Sequence, residues 1–221
     1  MKKIPHLLRR YNSQFLWSMP SEKKELYLTF DDGPTPGVTD WVLDMLETFD
    51  AKATFFILGK NVEKYPQLAH RAIDSGHVIG NHGYQHLDGW KTPIRTYLRD
   101  FLKAQKSIFE YTGKHTRLFR PAYAHITQSK ARYVMRSHQI VMMDVISGDF
   151  DTSLNGETVA KNVIAEAEPG SIIVFHDSQK ANPRLEIALP RILMHFEALG
   201  YEFKALPVWE KASPGIGLRD L

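Results

Sequence analysis

The sequence predicts one α/β domain built on a largely parallel sheet or barrel, with about seven strands. Three observations carry that expectation. From Leu26 onward, short apolar runs of strand composition alternate with stretches of helical periodicity. A chain of 221 residues that is 43% hydrophobic and 24% charged has enough apolar material for one sizeable core. No internal repeat or low-complexity segment interrupts the alternation.

Strands are expected at 26–30, 53–58, 77–80, 117–119, 140–145, 171–175 and 201–204, each short and rich in β-branched, aromatic or leucine residues. The first helix is expected over 36–49, where Val38, Trp41, Val42, Met45, Leu46 and Phe49 recur at helical spacing, which assigns Trp41 to the core. A second helix fits 62–74. The third has the clearest start signals, with Thr92 as N-cap and Pro93 as first helical residue. Its stripe of Ile94, Tyr97, Leu98, Phe101, Leu102, Ile108 and Phe109 reads as core rather than as a ligand box. Further helices fit 128–137, 157–167 and 185–199, and Gly76, Gly170 and Gly200 follow three of the helices as helix-ending glycines. Residues 1–24 read as an N-terminal extension, 25–207 as the domain and 208–221 as a C-terminal tail.

Composition excludes several classes of function. A formal charge of +3 without a dense Lys/Arg run gives no footprint for nucleic acid. With no cysteine, disulfides and thiolate metal sites are ruled out, so any metal must be held by His, Asp or Glu. The apolar pieces Leu7-Leu8 and Phe15-Leu16-Trp17 are too brief for a signal-peptide core or a membrane span. Localisation is left open, with the cytoplasm as default. Pro5 and Pro20 restrict a surface-lying amphipathic helix, so the N-terminal segment is expected to pack against the domain, and the chain is expected to act as a monomer.

Ligands of parallel α/β domains gather at the C-terminal ends of the strands, so the polar residues there are the ones to read. The first strand runs into Thr29-Phe30-Asp31-Asp32-Gly33-Pro34, two adjacent carboxylates followed by a turn; side chains alternate along a strand, so the two acids are expected to do different work. The third strand leads to His82 and His86, whose spacing lets two imidazoles aim at one point. Together with an aspartate they make a donor set suited to zinc or a similar first-row divalent ion, with a position left for water or substrate. The fourth strand ends in Arg120-Pro121-Ala122-Tyr123, and an arginine there is placed to hold Asp31 or Asp32 ionised. The fifth leads into Asp144, Asp149 and Asp151, and the sixth ends in His176-Asp177. Taken singly, each also fits a plainer reading: a capping turn, hydrogen-bonded loop histidines, a surface ion pair, a structural histidine. Trp90, close behind the histidines, is a candidate for a groove wall, while His70, His77, His115, His125, His138 and His195 show no partner pattern.

In combination and in this order, the Asp31-Asp32 motif, His82-x-x-x-His86, Arg120-Pro-x-Tyr123, the Asp149 loop and Val174-Phe175-His176 resemble the polysaccharide deacetylases, the carbohydrate esterase family 4 enzymes with a nodulation-protein-B type domain. The resemblance covers roughly residues 26–206. It implies a distorted (β/α) barrel and metal-assisted hydrolysis, with a metal-bound water as nucleophile, of N-acetyl groups on a peptidoglycan- or chitin-like polymer or oligomer. O-acetyl hydrolysis on xylan-like glycans, or a catalytically weak carbohydrate-binding domain, are the other readings.

By the same resemblance Asp32, His82 and His86 are the metal ligands, for Zn2+ first and Co2+ or Ni2+ otherwise. Asp31 is the general base, tethered by Arg120. His176 is the general acid, oriented and charged by Asp149, and the backbone N–H of Tyr123 helps hold the oxyanion. The chain departs from the family pattern at Gly83, where Ser or Thr is common, at Ala122 and Ala124 beside Tyr123, at Phe150 in place of Trp, and at Val174 in place of Leu.

Overall fold

The computed structural model describes residues 12–20 and 22–208. It contains β1 (Glu25–Asp31), α1 (Val38–Thr48), β2 (Thr54–Ile57), α2 (Gly59–Lys64), α3 (Pro66–Asp74), β3 (Val78–Asn81), α4 (Ile94–Thr112), β4 (Leu118–Phe119), α5 (Gln128–Val134), β5 (Gln139–Ile140), β6 (Val145–Ile146), α6 (Gly156–Glu166), β7 (Ile172–His176), α7 (Asn182–Ala198) and β8 (Glu202–Phe203). The strands join in the order β5-β4-β3-β2-β1-β7-β6, all parallel, with β8 added beside β1. The result is a curled, distorted (β/α) barrel.

The alternation of side chains sorts the core into layers. On β1, Leu26, Leu28 and Phe30 face outward, where they pack with Val42 and Leu46 of α1, Val163 of α6 and Leu189 of α7. Tyr27 of the same strand faces inward with Phe56, Leu118, Ile172 and Val174, the filling of the barrel. A second outer layer, Phe119 and Ile140 under Tyr97 and Phe101 of α4, completes the covering on the other flank.

Several expectations need correction. The strand expected at 140–145 is two strands, β5 and β6, because residues between them bond elsewhere: the N–H of Met142 goes to Leu16 O and that of Asp144 to Ile172 O. The helix expected over 62–74 is also two, α2 and α3. Pro66 cannot continue a helix, and Tyr65 before it leaves helical geometry (φ −135°, ψ 53°). Pro93 rather than Thr92 is the N-cap of α4, and no side-chain capping bond forms there. Ile94 and Phe109 of its stripe are 42% and 43% exposed, so the buried stripe is narrower than the periodicity suggested. Gly76 and Gly200 do lie just past helices, whereas α6 ends in extended backbone at Ala167 and Gly170 belongs to the turn before β7.

The segment 12–20, read from sequence as part of an extension, packs onto the domain. Phe15 is buried, Leu16 pairs with Val141 and Ser18 with Ser171. The remainder of that extension up to residue 11, and the tail from 209, lie outside the described residues. No helix among the described residues is long and apolar enough to cross a membrane.

Candidate active site

The same alternation that layers the core delivers the polar residues to one place. Thr29 and Asp31 follow Tyr27 on the inner face of β1. His82 continues the inward row of Val78 and Gly80, Arg120 that of Leu118, and His176 that of Ile172 and Val174. Gly80 is needed in its row because a Cβ there would stand 2.6 Å from the ring of Phe56. In the parallel register Asp31 lies opposite His176 on β7, so the rim of the barrel brings these two side by side.

Arg120 is fully buried and lies over the Phe56 ring at 4.2 Å. One guanidinium nitrogen donates to Asp31 Oδ1 at 2.8 Å and to Thr29 Oγ1 at 2.7 Å, and the other donates to Met142 O at 2.9 Å. Burial is the largest single influence and would raise the Asp31 pKa, but the charges of Arg120, His82 and His176 and the Arg120 hydrogen bond together outweigh it, and the carboxyl stays below its ordinary value. Its second oxygen, Oδ2, faces His82 Nε2 at 3.9 Å. Asp31 is thus an ionised carboxylate with one oxygen tethered and one turned toward the cleft.

Asp32 has left the strand, at φ 80°. Its Oδ1 is buried without a hydrogen-bond partner, 3.2 Å from His86 Nε2 and 3.6 Å from His82 Nε2. One donor atom from each of Asp32, His82 and His86 falls within 4.8 Å of the others. His82 Nδ1 lies 2.7 Å from Arg120 O. A carbonyl can only accept, so Nδ1 carries the proton and Nε2 keeps its lone pair for the cluster. Burial, helped by the neighbouring His82, brings His86 down to about 4, the neutral form that ligates. An orphaned buried carboxylate oxygen facing two imidazole nitrogens fits a divalent metal ion.

The loop carrying both histidines is held by a residue that sequence reasoning missed. Asp100 of α4 accepts the N–H of Tyr84 at 2.7 Å and of Gln85 at 2.9 Å. Gly83 sits at φ 83°, and a Cβ there would come within 2.8 Å of Asp100 Oδ2. The departure from Ser or Thr at this position therefore belongs to a different brace, a carboxylate on backbone donors.

His176 Nδ1 lies 2.8 Å from Asp149 Oδ1, and its backbone N–H donates to Asp149 Oδ2 at 2.7 Å. Burial would lower the imidazole pKa; Asp149, with Asp31 and Asp32 behind it, overrides that and pushes it up to about 9. Arg184 of α7, also unforeseen, donates to Asp149 O at 2.5 Å. The three acids of this loop now separate: Asp144 accepts from Ser171 and Ile172, Asp151 accepts from Ser153, and only Asp149 reaches the histidine. Asp177 serves the opposite turn, accepting from Gly33 N–H at 3.0 Å and Thr39 Oγ1 at 2.6 Å.

Asp31, Asp32, His82, His86 and His176 border a cleft of about 510 Å³ that Tyr123, Phe150 and Val174 also line. The ring of Tyr123 meets that of His86 edge-on at 4.5 Å, and Phe150 meets His176 at 5.3 Å. Of the non-glycine residues at positive φ among those described, Asp32, His86, Tyr123 and Ala124 belong to this site and only Asp50 does not. Backbone in a disfavoured region persists where surrounding contacts over-determine it, and here those contacts converge on the cleft. Trp90 is not among the lining residues; it is 62% exposed and stacked on His125, which does line the cleft.

The polysaccharide deacetylase family profile matches residues 18–143. A peptidoglycan-N-acetylglucosamine deacetylase of Bacillus cereus is 32% identical over 195 residues, covering 87% of this chain and 70% of that protein. A peptidoglycan-N-acetylmuramic acid deacetylase of Bacillus subtilis, PdaA, is 30% identical over 212 residues, covering 93% of this chain and 78% of that protein. The crystal structure of a peptidoglycan N-acetylglucosamine deacetylase superposes with a TM-score of 0.85 at 31% identity, over 92% of this chain and 95% of the other. With the fold, the ordered motifs and these relatives in agreement, the chain belongs to the polysaccharide deacetylases and is a hydrolase of that family.

Proposed function

We propose that the protein removes N-acetyl groups from the amino sugars of a peptidoglycan- or chitin-like glycan. One observation carries this reading: a tethered carboxylate, Asp31 on Arg120, and a charged imidazole, His176 on Asp149, flank one cleft beside the Asp32, His82 and His86 donor set. A divalent ion on those three residues, zinc by the chemistry of the donors, would supply Lewis acidity and favour ionisation of water.

The chain's own residues divide the remaining work. Asp31 Oδ2 takes the proton of the attacking water, while Arg120 keeps Oδ1 engaged so that the free oxygen points one way. The Tyr123 N–H, at the cleft wall, donates to the acetyl oxygen as negative charge develops there. An amine leaves poorly unless protonated, and His176, held as imidazolium by Asp149, gives its proton to the departing nitrogen. Asp31 cannot also hold the metal closely without losing basicity, which explains why the adjacent acids go to different partners. The two relatives act, by their names, on N-acetylglucosamine and N-acetylmuramic acid in peptidoglycan, which favours amide over ester cleavage.

The test is acetate release by zinc-loaded protein from a panel of N- and O-acetylated glycans, repeated with Asp31→Asn and His176→Ala. Release from N-acetylated amino-sugar oligomers, lost in both variants, is expected. Release from esters alone overturns the amide reading, and no release from any member despite full metal loading overturns the enzymatic one.

A further inference from the structure

We infer that Trp90 and His125 form a second sugar-binding subsite, a stacking platform at the edge of the cleft that holds a neighbouring unit of the same glycan; this rests on the deacetylase reading above. The two rings stack at 3.6 Å between centroids and 9° between planes. His125 lies 5.9 Å from the Tyr123 ring, which in turn lies 4.5 Å from His86. An aromatic path thus runs from the donor set, along the cleft wall, to Trp90 outside it. A linear glycan with one unit in the cleft must leave along the surface, and a ring face suits the C–H face of a sugar as it suits other flat apolar surfaces.

The platform is built rather than incidental. Asp88 Oδ1 accepts the N–H of Trp90 at 2.8 Å, and Asp88 Oδ2 stands 3.2 Å from His125 Nδ1. Gly89 pairs with Ile126, and a Cβ on it would lie 2.0 Å from His125 O, so the two backbones are in close contact. Lys130, itself buried, donates to Gly89 O at 2.6 Å and Thr92 O at 2.7 Å. These ties come from a separate helix and hold the loop on both sides of Trp90, yet the indole stays 62% exposed. A loop fixed this firmly around an exposed tryptophan pre-organises a binding surface and lowers the ordering cost of the ligand.

The probes are the tetramer and the dimer of N-acetylglucosamine. In zinc-loaded enzyme, Trp90→Ala is expected to lower the ratio of kcat/KM for tetramer over dimer roughly fivefold, through KM, with Trp90→Phe keeping most of it. In metal-free protein, tetramer binding followed by tryptophan fluorescence and calorimetry weakens by a similar factor. If wild type releases acetate and Trp90→Ala keeps the wild-type ratio, the platform is overturned and the activity stands. If wild type releases none but tetramer binds in a Trp90-dependent way, the deacetylase reading falls and the platform stands. Neither release nor binding overturns both.

Discussion

The two ends of β3 each carry a buried histidine, His77 just before the strand and His82 just after it, 6% and 3% exposed. Both rings bond to main chain through Nδ1, but with opposite polarity. His77 Nδ1 accepts the N–H of Ala53 at 3.1 Å, so its Nε2 carries the proton and has no lone pair to offer. His82 Nδ1 faces the Arg120 carbonyl at 2.7 Å, so its Nε2 is left open toward Asp32. An odd spacing along a strand also turns the two to opposite faces: His77 meets the outward Phe55 edge-on at 5.4 Å, and His82 faces the cleft. Residue type and burial are nearly the same at both ends. Face and backbone partner decide which imidazole can ligate.

The sharpest way to break this comparison is to remove each ring. His82→Ala is expected to lose bound metal and acetate release together, whereas His77→Ala keeps full metal stoichiometry by elemental analysis and loses only thermal stability. Metal bound equally well by both variants would show that the polarity argument is wrong.

Next in size is Asp31→Asn, which keeps the shape and the metal donors but removes the proton acceptor. A fall in kcat of about 10²- to 10⁴-fold at unchanged metal content is expected. Loss of metal in this variant would place Asp31 among the ligands and dissolve the division between the paired acids.

Asp100→Ala tests the brace behind the end that carries the proposed ligands. It leaves the N–H groups of Tyr84 and Gln85 without their carboxylate, and zinc affinity of the metal-free protein, measured by calorimetry, is expected to weaken about 10- to 100-fold. Asp100→Asn keeps one acceptor and should fall between. Unchanged affinity in both would make the loop self-supporting.

The smallest effect concerns the structural end. Burial, with Lys52 nearby, brings His77 down to about 4, below its unfolded value, so between those two values the unfolded chain binds more protons. The contribution of His77 is therefore complete above pH 6.5 and is lost as pH falls toward 4. In urea titrations across that window, His77→Gln is expected to show a shallower fall of stability with acid than wild type. His138, which burial brings down to about 3, retains the rest of the slope. An unchanged slope would show that His77 is not buried neutral.

Much of the site was legible because strand ends are short and their chemistry is local. Asp31, Arg120 and His176 are the polar residues at which apolar runs stop, Asp32, His82, His86 and Asp149 follow other strand ends by one to a few residues, and their order along the chain carries the family resemblance. Thr29 was within reach of the same reading, as a polar residue on an inward row. Asp100 and Arg184 were not. They sit on amphipathic helices among many charged neighbours, and nothing in their local pattern distinguishes a carboxylate that folds back on a loop from one in solvent. The split of 62–74 was readable at Pro66, while that of 140–145 was not, since it depends on Leu16 arriving from far away in sequence.

By itself, the sequence determined the alternation of strands and helices, the side chains that face inward, and the set of chemical groups gathered at the rim, because these follow from period, composition and the residue at each strand end. Tertiary structure alone decided which lone pair each histidine presents, which oxygen of Asp31 is free, which of three loop acids charges His176, and that Trp90 lies on His125. Those outcomes depend on hydrogen-bond partners brought from other elements, and a bond's polarity and direction exist only once both partners are in place.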